Sequence, residues 1–223
     1  MAPQWFRENS GRYDDYSRTG PKVFAGEYAA QSVGIASPDN RNNWECALSE
    51  AAFITGLERN SDVVRMSSYA PLFGHVDAWQ WTPNMIWFDN LRSYGTPNYY
   101  VQKMFSANKG TRRLAVSVDG SSKNGQGELY TSAALDEDTG EVIVKLVNTG
   151  SGTKEARINL TGAPRIGRTG TAFVLQSEDL KAENSLDQPM KLAPVEKPAQ
   201  VSGREFSYSV LPYSFTVLRI PVR

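Results

Sequence analysis

One cysteine and one histidine are all the soft metal ligands that this chain of 223 residues carries. Cys46 alone cannot close an internal disulfide, and with His75 it makes no zinc-binding set. An excess of charge is missing too: Lys plus Arg total 24, Asp plus Glu total 24, and the formal net charge is zero. Without a basic stripe there is no electrostatic footprint for nucleic acid. No run of about 18 apolar residues occurs, and the N-terminus lacks the basic-then-apolar order of a secretory signal. A soluble chain with no membrane partner is expected. Ser67 and Ser68 have no GxSxG context, which leaves a serine hydrolase unsupported.

What is present changes character along the chain. Up to about residue 110 the sequence is rich in aromatic residues and reads as helices and loops; from Arg112 it alternates with period two. A domain boundary is expected there, giving units 1–110 and 111–223. In the first unit Pro3 suits an initial helical turn, Trp5, Phe6, Asn9, Tyr13 and Tyr16 follow at roughly helical spacing, and Gly20 and Pro21 end the run. "KVFAGEYAA" then reads as a strand. Asn42, with Glu45 three positions on, reads as a capping box opening "WECALSEAAFITGLERN", a packed helix closed by Asn60. "DVVRMSSYAPLF" gives a second strand ending near Pro71, a long aromatic loop follows, and "PNYYVQKMFSA" gives another helix. Helices that alternate with strands argue for a parallel arrangement.

The second unit contains seven short runs bounded by Gly, Asp, Asn or Pro: "RRLAVSVDG", "GELYTSAALD", "EVIVKLVNTG", "KEARINLTG", "GTAFVLQS", "REFSYSV" and "SFTVLRIPV". "DEDTG" supplies a hairpin turn between the second and third. This is the pattern of an antiparallel β-sandwich. The Pro- and Lys-rich segment from Gln188 to Gln200 is expected to be a surface loop.

The sharp chemical candidate is Glu27. An apolar strand that stops on a carboxylate brings the charge out of the core at its C-terminal end, since an unpaired buried carboxylate is costly. In α/β folds that end is where chemistry concentrates. The following loop holds Trp79, Trp81, Trp87 and Phe88, whose faces suit sugar CH groups. A structural reading stands beside it, with Glu27 paired to an arginine and the aromatics in the core. Glycoside hydrolysis normally uses two carboxyl groups. Asp77 and Asp89 bracket the aromatic loop, yet both also fit turn or cap positions. Glu45 and Glu50 sit on the helix as structural residues, and His75 reads as a turn residue.

The blocks "KVFAGEYAA", "ALSEAAFITGLERNSDVVRMSSYAPLF", "WTPNMIWFDN" and "YGTPNYYVQKMFSAN" closely resemble the C-terminal part of α-L-arabinofuranosidases of glycoside hydrolase family 51, a likeness that continues more loosely to "YSFTVLRIPV". The resemblance implies α/β plus all-β architecture: a partial (β/α)8 TIM barrel, its last two βα units, followed by an antiparallel β-sandwich. It also implies a retaining hydrolase that removes terminal L-arabinofuranosyl residues from hemicellulose or pectic arabinan. By the "GEYA" block the family's nucleophile falls on Glu27. Tyr28, Trp79, Trp81 and Asn84 are the expected substrate contacts.

The family's general acid/base glutamate, in an Asn-Glu pair, has no counterpart here. The chain is therefore expected to be a C-terminal fragment lacking the first six strands, inactive alone, with a large apolar surface left open. Arabinose-containing polysaccharides or oligosaccharides are the implied substrates, and the rest of the barrel or a second copy the implied protein partner. No cofactor is implied. Family members occur inside and outside cells, so location stays open. The alternative is a non-catalytic carbohydrate-binding or assembly module; against it, the sandwich half has no tryptophan, and alternation buries several of Tyr130, Phe173, Phe206, Tyr208, Tyr213 and Phe215.

Overall fold

The computed structural model describes residues 1–122, 124–163 and 165–222. Helix α1 (Pro3–Glu8) starts with proline in its first turn, as expected, but stops at Asn9. The Asn9 side chain returns to the Trp5 carbonyl at 2.8 Å, and the chain continues to Tyr16 as successive turns. Helical spacing of the aromatics thus overshot the helix: Tyr13 and Tyr16 meet edge to face across a turn, 5.1 Å between centroids. The stop has a packing reason. Ser10 crosses the next helix at Gly56, where a Cβ would stand 1.7 Å from the Ser10 carbonyl oxygen.

Strand β1 (Val23–Tyr28) pairs in parallel with β2 (Val64–Tyr69), and helix α2 (Trp44–Arg59) makes the crossover between them. The helix is capped by Asn43, whose Oδ1 accepts the Cys46 N–H at 3.0 Å, so the expected Asn42 cap is displaced by one residue. Asn42 is committed elsewhere. Asn60 closes the helix as anticipated. Nearly every residue of α2 is buried, because α1, the parallel pair and a large sheet enclose it. The expected aromatic loop is more ordered than a loop: β3 (Phe73–His75), β4 (Ile86–Phe88) and β5 (Ser93–Gly95) form a small sheet. Helix α3 (Pro97–Ala107) follows, capped by the Thr96 hydroxyl accepting the Tyr99 N–H.

The rest is antiparallel. Strands β6 (Arg112–Leu114), β7 (Leu129–Asp136), β8 (Glu141–Asn148), β10 (Thr169–Gln176), β11 (Val195–Gln200) and β13 (Ser214–Pro221) form one sheet in the order β11-β10-β13-β8-β7-β6, while β9 (Lys154–Asn159) pairs with β12 (Glu205–Val210). One face of the large sheet, with Ile143, Val147, Phe215 and Val217, packs on α2 and α3. The other, with Val144, Leu146, Leu218 and Ile220, packs on Ile158, Phe206 and Val210 of the pair. The segment expected as a surface loop from Gln188 contributes β11, an edge strand. Its Pro198 lies opposite Thr171 in the strand that ends the sheet order, and an edge strand is where a missing N–H is tolerated. The architecture is mostly sheet with few helices.

A buried charge fastens α2 to the sheet. Lys145 on β8 is fully buried, and its Nζ meets Glu58 Oε1 at 2.5 Å and donates to the Asn108 carbonyl at 2.7 Å. Burial lowers its pKa, and the Glu58 carboxylate opposes that shift.

Candidate functional site

Val23, Ala25 and Tyr28 pack against the helix-side core, while Phe24 between them is 58% exposed. Strict alternation would send Glu27 to the same side as Ala25. It does not go there. Ala25 pairs with Ser67 and Glu27 with Ser68, so Gly26 is an extra residue, a β-bulge that switches the side chains beyond it to the opposite face. Glu27 thereby joins Phe24 on the open face, at the C-terminal end of β1.

There it lines a cavity of about 710 Å³ together with Tyr13, Gln31, Ile35, Trp81 and Thr82. Among the described residues lining that cavity Glu27 is the one carboxylate. Its side chain forms no ion pair or hydrogen bond among the described residues, so the arginine pairing of the structural reading is not made.

Behind the strand end lies a buried polar network. Glu50 on α2 is fully buried and accepts the Ala30 N–H at 2.7 Å and Asn98 Nδ2 at 2.9 Å. Burial pushes its pKa up to about 8 against those two hydrogen bonds. Asn98 Oδ1 accepts Asn42 Nδ2 at 3.1 Å, and the same Nδ2 reaches the Tyr69 hydroxyl at 3.0 Å. Asn42 Oδ1 takes the Asn84 N–H and Trp87 Nε1, each at 3.1 Å. The ends of β1 and β2, the start of α3 and the aromatic segment are thus tied to one asparagine and one glutamate.

The other expected site residues separate. Tyr28 lines the cavity; its hydroxyl is hydrogen-bonded to Gln102 and burial raises its pKa. Trp81 shares the cavity with Glu27 and is 52% exposed. Trp79 lines a neighbouring cleft instead, with Trp87 and Tyr94. Asn84 is buried, and its Nδ2 donates to the Trp81 carbonyl at 2.5 Å, so its side chain braces the loop that carries Trp81.

Asp89 accepts the Leu91 and Arg92 N–H groups and pairs with Arg92, which lowers its pKa and makes it a turn residue. His75 accepts the Asp77 N–H through Nδ1 and lies 3.2 Å from Asn90 through Nε2, again a turn role. Asp77 is exposed beside it.

Glu50 is structural, as expected from its place on the helix, but its full burial went unread. Its signal was available: a lone glutamate amid Leu48, Ala51, Ala52 and Ile54 has no way out of the core. Of the sandwich aromatics, Tyr130, Phe206 and Phe215 are buried and Phe173, Tyr208 and Tyr213 half-buried, leaving no open aromatic platform among them. Among the described residues no group of three or more His, Cys, Asp or Glu is arranged to hold a metal. No helix there is long and apolar enough to cross a membrane.

Comparison with known proteins gives a consistent picture. A family model described as the α-L-arabinofuranosidase C-terminal domain matches residues 26–214. An extracellular exo-α-L-arabinofuranosidase of Streptomyces chartreusis is 52% identical over 111 residues, 50% of this chain and 12% of that protein. α-L-Arabinofuranosidase 1 of Arabidopsis thaliana is 34% identical over 210 residues, 92% of this chain and 30% of that protein. Among solved structures, an arabinose-bound α-L-arabinofuranosidase named MgGH51 superposes with a TM-score of 0.91 at 31% identity, covering 100% of this chain and 36% of that one. An arabinose complex of the Thermotoga maritima enzyme shares the fold, with a TM-score of 0.70 at 16% identity. The chain spans about a third or less of the length of these two curated relatives. By its sequence blocks, its fold and the extent of these matches, it belongs to the C-terminal part of the glycoside hydrolase family 51 α-L-arabinofuranosidases.

Proposed function

We propose that this chain is the nucleophile-bearing part of a retaining α-L-arabinofuranosidase acting on arabinose-containing polysaccharides or oligosaccharides. The observation that carries the reading is the Gly26 bulge, which turns Glu27 out of the core and into an aromatic-walled cavity at the end of a parallel strand. Glu27 attacks the anomeric carbon as the bond to the leaving oxygen breaks, giving a covalent arabinosyl-enzyme. A second carboxyl group protonates that oxygen and then draws the proton from the water that releases the sugar. In retaining enzymes the two groups stand about 5–5.5 Å apart. With Glu27 the one carboxylate among the described residues lining the cavity, this reading takes the acid/base from outside the chain, and the chain by itself hydrolyses nothing detectably.

In this reading residues 1–110 form the last two βα units of a (β/α)8 barrel and 111–223 a supporting sandwich. Phe24 and Met66, register partners 58% and 60% exposed, belong to the open face that the remaining strands or a second copy would cover. Tyr28 and Trp81 line the sugar pocket, and Asn84 holds Trp81 in place. Neither nucleic acid nor membrane enters.

The test is peptide mapping of the enzyme completed with the missing barrel strands, after reaction with a slow 2-fluoro arabinofuranoside bearing a good leaving group. An arabinosyl adduct on the peptide containing Glu27 is expected. An adduct on a different carboxylate overturns the assignment.

A further inference from the structure

The cleft beside the Glu27 cavity is walled by Trp79, Trp87, Tyr94, Thr82, Arg41 and Glu183, and its volume is about 270 Å³. Thr82 lines both spaces, so the cleft and the cavity share a wall. Two of its walls brace each other. Trp87 is fixed by the bond from Nε1 to Asn42, and Trp79 stands edge to face against it at 6.2 Å, itself 39% exposed.

Glu183 arrives from the sandwich, on the segment between β10 and β11. That segment is held on both sides of it. The Leu180 and Ala182 carbonyls accept the Glu45 and Trp44 N–H groups, each at 2.9 Å, satisfying donors that the first turn of α2 cannot pair internally. Asn184 is buried; its Nδ2 donates to the Gly95 and Leu192 carbonyls, each at 2.9 Å, and its Oδ1 accepts the Leu192 N–H at 2.7 Å. Between these anchors the Glu183 carboxylate is half-buried and makes no hydrogen bond or ion pair of its own among the described residues; burial raises its pKa, and the Arg41 and Lys191 charges, beyond ion-pair distance, pull it partly back. A carboxylate drawn partly out of water and left without a donor is suited to a ligand that brings hydroxyl groups. The exposed ring of Trp79 supplies an apolar face beside it, and the exposed Arg41 a charged donor to complement the acceptor.

We propose that this cleft is a second sugar subsite, in which the glycan unit next to the cleaved arabinofuranosyl residue packs on Trp79 and hydrogen-bonds Glu183 and Arg41. The identity of the ligand as a neutral glycan rests on the glycosidase reading of the Glu27 cavity. The geometry makes the sandwich a contributor to substrate choice, through one side chain placed by its β10–β11 connection.

The test uses this chain alone, followed by NMR of its indole N–H groups during titration with arabino- and xylo-oligosaccharides. Saturable shifts of the Trp79 and Trp87 indoles are expected. Trp79→Ala should weaken binding about tenfold, and Glu183→Gln, which keeps the shape and removes the charge, severalfold. Unmoved indoles up to ~20 mM of every saccharide, some tenfold or more above a millimolar dissociation constant, would overturn the proposal, as would binding untouched by both substitutions. The two readings fail separately: shifts without hydrolysis by the completed enzyme sink only the glycosidase reading, and hydrolysis without shifts sinks only the subsite.

Discussion

The Glu50 carboxylate accepts the Ala30 backbone N–H at 2.7 Å, three residues beyond Glu27, in a fully buried position. A helix side chain thus fixes where the chain goes once it leaves β1, and its other oxygen takes Asn98 at the start of α3. Replacing Glu50 by alanine leaves two buried donors unpaired and opens a void. A loss of about 2–5 kcal/mol in urea unfolding is expected, with Glu50→Gln costing less because it keeps the volume and one acceptor. Equal stability of Glu50→Ala and the parent would show that the network carries no weight.

The same residue sets a pH dependence. Its pKa rises from 4.5 to about 8 on folding, so the folded state holds a proton that the unfolded chain releases. This contribution is full below pH 4.5 and is lost as the pH climbs through 8. The facing groups are Tyr28 on β1, Tyr69 on β2 and Cys46 on α2, whose pKa values are all raised by burial, with the N-terminal amine opposing the shift on Glu50. Urea midpoints at pH 5 and pH 8.5 should therefore fall more for the parent than for Glu50→Gln. Parallel falls in the two proteins would contradict the buried-acid assignment.

Lys145 gives a third prediction. Truncation to alanine removes the partner of Glu58 and of the Asn108 carbonyl at the joint between α2 and the large sheet. Breaking a buried pair on one side costs about 3–5 kcal/mol; Glu58 retains some solvent, which favours the lower end. The double replacement Lys145→Met with Glu58→Leu should recover most of that loss. Chemical unfolding of the three proteins checks both statements.

Phe24 and Met66 give a fourth. Side by side on an open sheet face, they should make the chain self-associate, and Phe24→Lys should shift sedimentation toward the monomer. Association unaffected by Phe24→Lys would place the contact elsewhere.

Sequence alone reached α2, α3, β2 and most of the antiparallel strands, because caps, proline positions and alternation are local signals. Asn43 displaced Asn42 as the cap because Asn42 is claimed by Tyr69, Asn98, Asn84 and Trp87, partners far along the chain. Strand β11 hid behind Pro198, Glu196 and Lys197, residues an edge strand tolerates and a central one does not. The strands of the aromatic segment are three residues each, too short for alternation to register.

At the site, the motif around Glu27 was readable as a strand ending on a carboxylate. The bulge that aims it was not, since Gly26 is equally at home in a turn, a regular strand or a bulge. The division of the tryptophans was out of reach as well. Trp79 and Trp81 are two residues apart yet line different spaces, a consequence of how Asn84 and Asn42 hold the loop.

The central claim is that Glu27 is the nucleophile and that its partner acid lies outside this chain. Release of 4-nitrophenol from 4-nitrophenyl α-L-arabinofuranoside tests it directly, on this chain alone and on the same chain preceded by the barrel strands that the proposed function places before it. The account predicts no turnover by the chain alone, turnover by the longer protein, and a loss there on the order of 10⁴-fold or more in Glu27→Gln. Turnover by the chain alone, or a longer protein that stays active with Glu27→Gln, would contradict it.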